Sequence, residues 1–514
     1  MFMANLKETI NEEFNTSVTE NGAVGYRTTG KELLDINFSV TSMRNMDEQQ
    51  IVDKFVKTFY EDRLLAVKWL FYARDIRGGI GERRLFRYCL KYLASNHSDI
   101  AKAIIPLVPE YGRWDDLWCL LDTEVADYVV HTVSNQLVDD IKNRLMNRPI
   151  SLLAKWLPSI NTSSKETRKS ARILIRKLRI REKAYRKLLV DLRGYLKVVE
   201  VSMCKNEWSE IDYAAVPSRA NLIYNDAFTR NDPVRRRKYL DSLQKGETKI
   251  NAGVLFPHDI VHKYMYNEFW RSCVLEQTEV ALEELWKALP DYVNGAGNTI
   301  CVADGSRSMT STVGGTGVTA LDVANALAIY FAERSSGDFK DKYITFSMSP
   351  RLVDFSNCKT LREKIEMALH YNEAANTNIE AVFDLILKTA IRNNMSQYDI
   401  PQNILILSDM EFDAMARWGD HYTRMTSTLF DAIADKYTEH GYKLPRLIFW
   451  NICSRTGTIP VKENELGVAL VSGFSPAVAN MVLSNKLDPL ECLLEQLNSD
   501  RYSAVEDALK RVQA

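Results

Sequence analysis

The spacing of apolar residues changes near residue 297, and this change constrains the fold more than any other feature. From about residue 46 to 295, apolar residues recur every three or four positions, as in VDKFVKTFYEDRLLAVKWLFYARDI. This spacing is typical of amphipathic helices. Beyond residue 297, short apolar runs alternate with amphipathic stretches. The sequence therefore predicts an α-helical module followed by an α/β module.

Short breaks such as RGGIGE and VPEYGRW separate the predicted helices of residues 46–295. Helices joined by short turns indicate an α-solenoid or an irregular helical bundle. No fixed-period repeat is visible, so any HEAT-like repeats in this array would be degenerate. Residues 1–45 are polar and predict a flexible N-terminal arm, with a strand or hook near Leu33 to Val40.

Residues 297–488 predict a doubly wound, Rossmann-like domain, because strand-like and helix-like segments alternate. Several of the strands are almost wholly apolar, as expected when both faces of a parallel sheet are buried. The run at 351–355 closely follows the preceding strand, so we expect it to lie antiparallel at an edge. The predicted strands are 299–304, 343–347, 351–355, 403–409, 446–452 and 467–473. The predicted helices begin near Thr319, Leu361, Asn378 and Thr426, and residues 489–514 predict a C-terminal helix.

Charge and cysteine content limit the classes of function. With 66 basic and 67 acidic side chains the net charge is −1, so nucleic-acid binding requires a local patch. None of the eight cysteines forms a CxxC pair, which fits reduced thiols in a cytoplasmic protein. No uncharged apolar run reaches about 18 residues, so we expect no membrane span.

One such basic patch is visible at residues 165–187, which hold eleven basic and two acidic side chains. A surface this cationic is suited to phosphates, and nearby Tyr185, Tyr224 and Phe228 are candidates for stacking on bases. The alternative is a solvated helix face that keeps the protein soluble. The candidate RNA-binding residues are Arg168, Lys169, Arg172, Arg176, Lys177, Arg179, Arg181, Lys183, Arg186, Lys187, Arg235, Arg236 and Arg237.

Oxygen-bearing side chains mark a candidate metal site in the α/β module. Asp304, Ser306 and Ser308 follow an apolar strand in a D-x-S-x-S pattern, Asp409 ends another strand, and Thr377 precedes a helix. Ligands of doubly wound sheets bind at the carboxyl ends of the strands. Hard oxygen ligands favour Mg²⁺ or Mn²⁺ over zinc. The alternative is that Asp304 and Ser306 only cap the turn into the next helix.

This combination resembles the metal-ion-dependent adhesion site (MIDAS) of von Willebrand factor A (vWA) domains. The resemblance implies that Ser306, Ser308 and Thr377 coordinate the metal directly, and that Asp304 and Asp409 act largely through bound water. It also implies an open coordination position for an acidic group of a protein partner. That is a binding chemistry, so we assign no catalytic residues.

Two motifs of the helical module, RDIRGGIGERR and VPEYGRWDDLW, resemble elements of the TROVE module of Ro autoantigens. In that family, HEAT-like repeats form a ring closed by a C-terminal vWA domain, and the ring binds RNA. SLLAKWLPSIN, YRKLLVDLR, VPSRANLIYNDAF and SDMEFD resemble even more closely an uncharacterised family, of the domain-of-unknown-function type, with the same two-part layout. A structural interpretation remains open, in which Arg113 pairs with Asp115 or Asp116 and Trp114 packs in the core.

The sequence as a whole predicts a non-catalytic, Ro-like RNA-binding scaffold with a divalent-cation site for a partner carboxylate. The alternative is a metal-dependent protein–protein adhesion module without RNA binding. A magnesium-dependent hydrolase using the carboxylates of SDMEFD is a third hypothesis. His258 and His262 lie one helical turn apart, but without the glutamate of HExxH or an obvious third ligand we expect packing rather than a metal role.

Overall fold

A computed structural model shows that the chain forms two compact units. We call Met1–Asp47 with Leu255–Leu497 the sheet unit, and Glu48–Val254 with Asn498–Ala514 the helical unit. The structure describes residues 15–18, 24–268, 271–293, 298–314, 317–372, 378–411, 417–418, 421–422, 427–455, 457, 459, 469–478 and 488–513.

The helices of the described residues belong to both units. In chain order they are α1 Glu32–Phe38, α2 Glu48–Glu61, α3 Arg63–Arg74, α4 Arg84–Asn96, α5 Ser98–Ile104, α6 Val108–Tyr111, α7 Ala126–Leu145, α8 Leu153–Trp156, α9 Lys165–Lys177, α10 Glu182–Tyr195, α11 Val199–Cys204, α12 Ser218–Asn231, α13 Pro233–Gln244, α14 Pro257–Tyr264, α15 Val280–Lys287, α16 Ala320–Arg334, α17 Leu361–His370, α18 Ile379–Arg392, α19 Ser427–Glu439, α20 Pro489–Leu497 and α21 Ser503–Gln513. None of them is long and apolar enough to cross a membrane.

The helical unit is organised around α3, which is buried on every side from Ala66 to Arg74. The chain turns sharply after this helix, and a Cβ atom on Gly79 would lie 2.0 Å from the Tyr72 carbonyl oxygen. Only glycine fits there. α21 packs against α3 and α5, and Arg501 donates to buried Asp75 through Nε at 2.5 Å and Nη2 at 2.9 Å. Residues far apart in the sequence therefore complete one helical core.

The described strands are β1 Thr16–Val18, β2 Val24–Tyr26, β3 Met265–Glu268, β4 Arg271–Val274, β5 Thr299–Asp304, β6 Lys342–Phe346, β7 Leu352–Asp354, β8 Asn403–Ser408, β9 Arg417–Trp418, β10 His421–Tyr422, β11 Arg446–Asn451 and β12 Ala469–Ser472. The sheet unit is built on a six-stranded sheet with strand order β12-β11-β8-β5-β6-β7. Its strands are parallel except for β7, which lies antiparallel to β6 at an edge. Each predicted sheet strand, including the antiparallel edge, is confirmed within two residues at either end.

Helices cover both faces of this sheet. On one face, side chains of β5 and β8 such as Val302 and Ile406 pack with Val382 of α18 and Tyr437 of α19. On the other face α16 packs against β5, β6 and β8, and nearly every residue of α16 is buried. This is the layer arrangement of a doubly wound fold, as predicted.

The segment predicted as a strand or hook near Leu33 forms the helix α1 instead. Leu33 to Phe38 are all buried, and burial on all sides removes the alternation that distinguishes a helix from a strand in sequence. The Asn451 side chain donates to the Phe38 carbonyl at 2.9 Å, and the hydroxyls of Thr41 and Ser472 lie 3.0 Å apart. This part of the predicted arm is therefore an integral part of the sheet unit.

The observed boundaries between the units also differ from the predicted domain boundaries. The sheet unit begins again at Leu255 rather than after residue 295, because α14 packs on α16. The region predicted as wholly helical also contains the antiparallel pair β3 and β4. At the C-terminal end, the predicted single helix of residues 489–514 is divided into α20 and α21, which belong to different units.

Candidate functional site

Two neighbouring strands of the sheet end at the predicted metal site. β5 and β8 are parallel with Ala303 opposite Leu407, so Asp304 and Ser408 reach the same edge. From β5 the sheet continues to β6 and β7 on one side, and from β8 it continues to β11 and β12 on the other. Doubly wound folds bind ligands where the strand order reverses in this way. Asp304 therefore lies where a ligand site is expected.

The loop after β5 holds the two predicted serines beside Asp304. The Ser306 amide donates to Asp304 Oδ1 at 2.9 Å. A 3₁₀ turn over Arg307–Thr310 follows, and the hydroxyl oxygens of Ser306 and Ser308 lie 2.9 Å apart. The Ser408 hydroxyl donates to Asp304 Oδ2 at 2.7 Å. These contacts fix the orientation of a carboxylate that is only 3% exposed.

Asp409 follows β8 and lies near Ser308, which lowers the pKa of its carboxyl group. The Glu411 amide donates to its Oδ1 at 3.2 Å, and Arg455 Nη2 lies 3.4 Å from its Oδ2. Burial, together with repulsion from Asp304, raises the pKa of Asp409 to about 6, although Ser308, the Glu411 amide and Arg455 act in the opposite direction. The two carboxylates therefore lie close enough to repel each other.

Four of the five predicted metal ligands are therefore brought together, namely Asp304, Ser306, Ser308 and Asp409. The fifth, Thr377, lies outside the described residues. Asn372, a few residues before it, has a buried side-chain nitrogen without a hydrogen-bond partner among the described residues. A Cβ atom on Gly305 would lie 2.8 Å from Asn372 Oδ1. Glycine between the aspartate and the first serine lets the loop approach this asparagine closely.

Sequence reasoning missed three contributors to this site. Ser408 bonds directly to Asp304, and its position as the last residue of an apolar strand was a signal that could have identified it. Glu411 is 4% exposed and accepts from the Arg455 amide at 2.8 Å; the SDMEFD motif drew attention to it only as part of a hydrolase. Arg455 follows β11, and no local pattern pointed to it.

The donor set suits a hard cation. Two buried carboxylates and two hydroxyls supply oxygen ligands, which Mg²⁺ and Mn²⁺ prefer. Burial and the charge of Asp304 raise the pKa of Asp409, and a cation at this position would act in the opposite direction. Among the residues that the structure describes, no three His, Cys, Asp or Glu side chains form a metal-binding group. Any ion here would therefore depend on hydroxyl and water ligands.

The two histidines on α14 have other partners. His262 Nδ1 lies 2.8 Å from Asp322 Oδ2, and Asp322 belongs to the capping box that begins α16. His258 is 7% exposed and its ring packs edge-on against Phe474, with the ring centroids 5.1 Å apart. Both histidines of α14 therefore contact neighbouring residues of the sheet unit, His262 through a carboxylate and His258 through an aromatic ring.

The predicted basic surface lies on α9, α10 and the connection between them. α9 buries Ala171 and Leu174, which leaves most of its cations facing solvent. Of the candidate RNA-binding residues, the exposed ones are Lys169, Arg172, Arg176, Arg179, Arg181, Lys183, Arg186, Lys187 and Arg237. Arg168 is half-buried and donates to the Thr162 and Ser163 carbonyls, and Lys177 pairs with Asp127 at 2.5 Å.

Two of the candidate RNA-binding arginines have structural roles instead. Arg236 is 1% exposed, and Nη1 and Nη2 donate to the amide oxygens of Asn221 at 3.1 Å and Asn225 at 2.9 Å. Its guanidinium carbon lies 5.2 to 5.5 Å from the ring centroids of Tyr213, Phe228 and Tyr239. Arg235 donates to the Trp208 and Ile211 carbonyls at 2.8 and 2.7 Å. The assignment of Arg236 to a phosphate-binding surface was wrong, because this side chain is part of the core.

The predicted base-stacking rings are also engaged inside the protein. Tyr185 and Phe228 are fully buried, and the Tyr185 hydroxyl donates to the Pro158 carbonyl at 2.8 Å. Tyr224 packs against Phe228 and donates to Glu200 Oε1 at 3.3 Å. Tyr185 and Phe228 therefore have no free face for a base, and charge is the main property that this surface offers.

The structural interpretation of the VPEYGRWDDLW motif is confirmed. Arg113 Nε lies 3.0 Å from Asp115 Oδ1, and the Arg113 amide donates to Asp116 Oδ2 at 3.0 Å. Trp114 is 8% exposed. The motif therefore forms a local ion-pair network next to a packed tryptophan.

The fold and the site define a two-unit protein that combines a helical array with a doubly wound α/β unit in which carboxylates and hydroxyls cluster at the ends of two strands. The family model described as Domain of unknown function (DUF2828) matches residues 19–142 and 115–298 of the 514. The chain therefore belongs to the DUF2828 family. A second model, Domain of unknown function (DUF7788), matches residues 298–511.

The chain is also similar to the Uncharacterized protein L728 of Acanthamoeba polyphaga mimivirus. The two are 29% identical over 527 residues, which cover 94% of this chain and 87% of the viral protein. These findings confirm the predicted membership of an uncharacterised family, matched by one model in each part of the chain. Neither matched model is a TROVE or a vWA model.

Proposed function

We propose that this protein is a non-catalytic RNA-binding scaffold of the Ro type, with a TROVE-like helical array and a vWA domain that holds a divalent cation. The observation that carries the RNA-binding proposal is the cationic face of α9. An open groove of about 590 Å³ runs along this helix and is lined by Lys165, Arg168, Lys169, Arg172, Ile173 and Arg176.

The spacing of these residues explains why they line one groove. Positions three, four, seven and eleven residues apart lie on the same side of an α-helix. Lys169, Arg172 and Arg176 make no ion pair with any described residue. Unpaired cations in a row attract a polyanion, and releasing its counterions makes the binding depend on salt. Single-stranded or small structured RNA has the matching charge.

The test is an electrophoretic shift assay with single-stranded and hairpin RNA at several salt concentrations. Five phosphate contacts along α9 predict a slope of log K against log salt of about −3.5 for a single strand. Changing Arg172→Glu together with Arg176→Glu should abolish most of the binding. A matched control, Lys57→Glu with Lys245→Glu, makes the same charge change at two exposed lysines elsewhere in the helical unit. Equal losses in both variants, or no binding at low salt, would reject the proposal.

The second part of the proposal concerns the cluster of Asp304, Ser306, Ser308 and Asp409 in the sheet unit, which we name the MIDAS-like site. By the vWA resemblance, Ser306, Ser308 and Thr377 would hold Mg²⁺ or Mn²⁺ directly, and Asp304 and Asp409 would hold it through water. The bound ion would supply an electrophilic position for an acidic side chain of a protein partner. The two buried, mutually repelling carboxylates are the observation that supports it.

Calorimetric titration with Mn²⁺ tests the metal site, comparing the native chain with Asp304→Ala. Asp338→Ala, at an exposed position of the same unit, is the matched control. We expect binding to the native protein and the control only. If Asp304→Ala binds Mn²⁺ as the native protein does, this part of the proposal fails.

Metal-dependent adhesion without RNA binding is the alternative function. The carboxylates and hydroxyls of the MIDAS-like site support it as well. A pull-down with and without EDTA separates the two. Partners that bind only with metal, to a chain that shifts no RNA, would favour adhesion alone. Partners retained by Asp304→Ala or in EDTA would count against any role of the metal in capture.

A further inference from the structure

The RDIRGGIGERR and VPEYGRWDDLW motifs converge in the helical unit on a group of charged residues that the proposed function does not use. We call it the arginine cluster. It consists of Arg74, Arg83, Arg87 and Arg113 around the two aspartates Asp115 and Asp116. It draws on α3, on α4 and the residue before it, and on the turn after α6.

Asp116 anchors the cluster and is fully buried. Arg74 donates to its Oδ2 from Nε at 2.8 Å, and Arg74 Nη2 lies 2.7 Å from the same oxygen. Arg87 Nε donates to Oδ1 at 2.8 Å. A Cβ atom on Gly112 would lie 2.7 Å from Asp116 Oδ2 and 2.9 Å from Arg74 Nε. Glycine at this position therefore lets the chain pass beside the anchoring ion pair.

Asp115 holds the three outer arginines together. Arg87 Nη2 donates to its Oδ2 at 3.1 Å, Arg83 Nη2 donates to the same oxygen, and Arg113 Nε lies 3.0 Å from Oδ1. The Arg113 guanidinium also lies 4.2 Å from the centroid of the Trp156 ring. One carboxylate thus fixes the position of three guanidinium groups.

The cluster has an excess of two positive charges, since four arginines face two aspartates. The charged groups with the largest effects on the pKa of Arg83 and Arg113 are members of the cluster. The outer arginines are partly open to solvent, with side chains 42%, 28% and 31% exposed for Arg83, Arg87 and Arg113. The excess charge is therefore both held in place and accessible.

Each outer arginine also keeps unused donors. The contacts of Arg83, Arg87 and Arg113 with the aspartates engage Nε and Nη2. The Nη1 groups of these three side chains donate to none of the described residues. A role in stability alone would explain the buried Arg74. It would not explain the three Nη1 donors and the two positive charges that the aspartates leave unmatched.

We propose that the arginine cluster is a binding site for a phosphate group. A phosphate dianion matches the excess charge, and its oxygens match the fork of guanidinium donors. Because the aspartates already hold the arginines in place, little side-chain freedom is lost on binding. Inorganic phosphate and the terminal phosphate of an RNA strand share this chemistry. The proposal does not depend on the α9 surface or on the metal site.

The first experiment measures the thermal stability of the full chain against phosphate concentration at constant ionic strength, with chloride as the reference salt. We expect the unfolding temperature to rise with phosphate and not with chloride, since a ligand that binds the folded state stabilises it. No difference between phosphate and chloride would overturn the proposal.

The second experiment locates the site by calorimetric titration with phosphate. Arg83→Gln should weaken binding about ten- to hundredfold, as expected when a charged hydrogen-bond donor is lost. Arg84→Gln is the matched control, because Arg84 is the exposed neighbour whose guanidinium lies 5.3 Å from the centroid of the Tyr88 ring, outside the cluster. If Arg83→Gln fails to fold, Arg113→Lys keeps the charge, removes the fork and should also weaken binding. Equal binding by the variants and the control would overturn the assignment.

A third arm distinguishes the source of the phosphate. A short RNA with a 5′-phosphate is compared with the same RNA without it, in the background of Arg172→Glu with Arg176→Glu so that α9 does not contribute. Tighter binding of the phosphorylated strand that is lost in Arg83→Gln identifies an RNA end as the ligand. Equal binding of both strands, with phosphate still bound, identifies free phosphate.

Discussion

Each unit of the protein contains a pair of aspartates with little exposure to solvent, but the contacts of the two pairs differ. Asp115 and Asp116 of the helical unit contact four arginines. Asp304 and Asp409 of the sheet unit contact hydroxyls and amides, and the Arg455 guanidinium lies 3.4 Å from Asp409. The first pair is held mainly by guanidinium groups, whereas the second accepts several hydrogen bonds from neutral donors.

The pKa values of the two sites follow from this difference. Burial alone would raise the pKa of Asp116, but the attraction and hydrogen bonds of Arg74 and Arg87 outweigh it and hold the pKa below its ordinary value. At Asp409 burial and the neighbouring Asp304 prevail, and its pKa is raised to about 6. The same residue type thus has its charged form favoured in the helical unit and disfavoured at Asp409 of the sheet unit.

The largest expected effect is on the anchor. Asp116→Ala leaves buried Arg74 without its counter-charge, so the free energy of unfolding of the helical unit should fall by about 3–5 kcal/mol. Urea unfolding followed by circular dichroism measures this. Asp122→Ala, at an exposed position, should change stability by less than about 0.5 kcal/mol. A similar small effect for Asp116→Ala would show that the network contributes little to the fold.

Gly112→Ala sharpens the comparison by disturbing the same anchor through its geometry. The added methyl group would overlap Asp116 Oδ2 and Arg74 Nε, and such overpacking costs about 1–3 kcal/mol. Gly194→Ala in α10 is the control, because its Cβ atom would meet no atom within 4 Å. Replacing a helical glycine there should instead stabilise the protein by about 0.5–1 kcal/mol. The same unfolding assay reports both, and effects of the same sign would contradict this account.

In the sheet unit, Arg455→Gln removes the guanidinium nearest Asp409. If a divalent cation binds at the MIDAS-like site, losing a like charge at this distance should tighten Mn²⁺ binding by about tenfold. Calorimetric titration measures the change, and Arg392→Gln, an exposed arginine at the end of α18, is the control. Unchanged affinity would mean that Arg455 does not oppose the metal.

The smallest expected effect concerns the pair of Asp322 and His262, because His262 loses its positive charge as the pH rises. The hydrogen bond that His262 Nδ1 donates to Asp322 raises the pKa of His262 above its ordinary value, although burial acts against it. The pair therefore stabilises the fold fully below the unfolded pKa of about 6.5, and this contribution is lost as the pH rises through the folded value. The free energies of unfolding of the native chain and of His262→Gln should differ by less than about 1 kcal/mol at pH 6 and by less still at pH 8.5. A difference that grows with pH would contradict this sign.

The sequence predicted the sheet better than the surface chemistry. The strands are apolar along their whole length because both faces are covered, and this gave a clear signal even for the antiparallel edge at Leu352–Asp354. The D-x-S-x-S loop could also be identified from the sequence, because its residues are close together in the chain. Arg455 contributes from a distant strand end, where no local pattern reveals a partner.

For the basic residues, the sequence alone does not show which side chains are exposed. The run Arg235–Lys238 looks like a surface patch, but Arg236 is enclosed by three aromatic rings that come from separate helices and a loop. Charge in a sequence does not reveal such an enclosure. α1 was missed for a related reason, because its residues from Leu33 to Phe38 are all buried and show no alternation.

The link between Asp75 and Arg501 has a consequence for how the chain matures during synthesis. Most of the helical unit leaves the ribosome before Leu255–Leu497 of the sheet unit, but α21 and Arg501 emerge after them. Until then, Asp75 has no cation from Arg501, and the groove beside α3 and α5 has no helix in it. A fragment ending before Asn498 would lack Arg501 and α21 permanently. We would expect chaperones to bind such a fragment and proteases to degrade it.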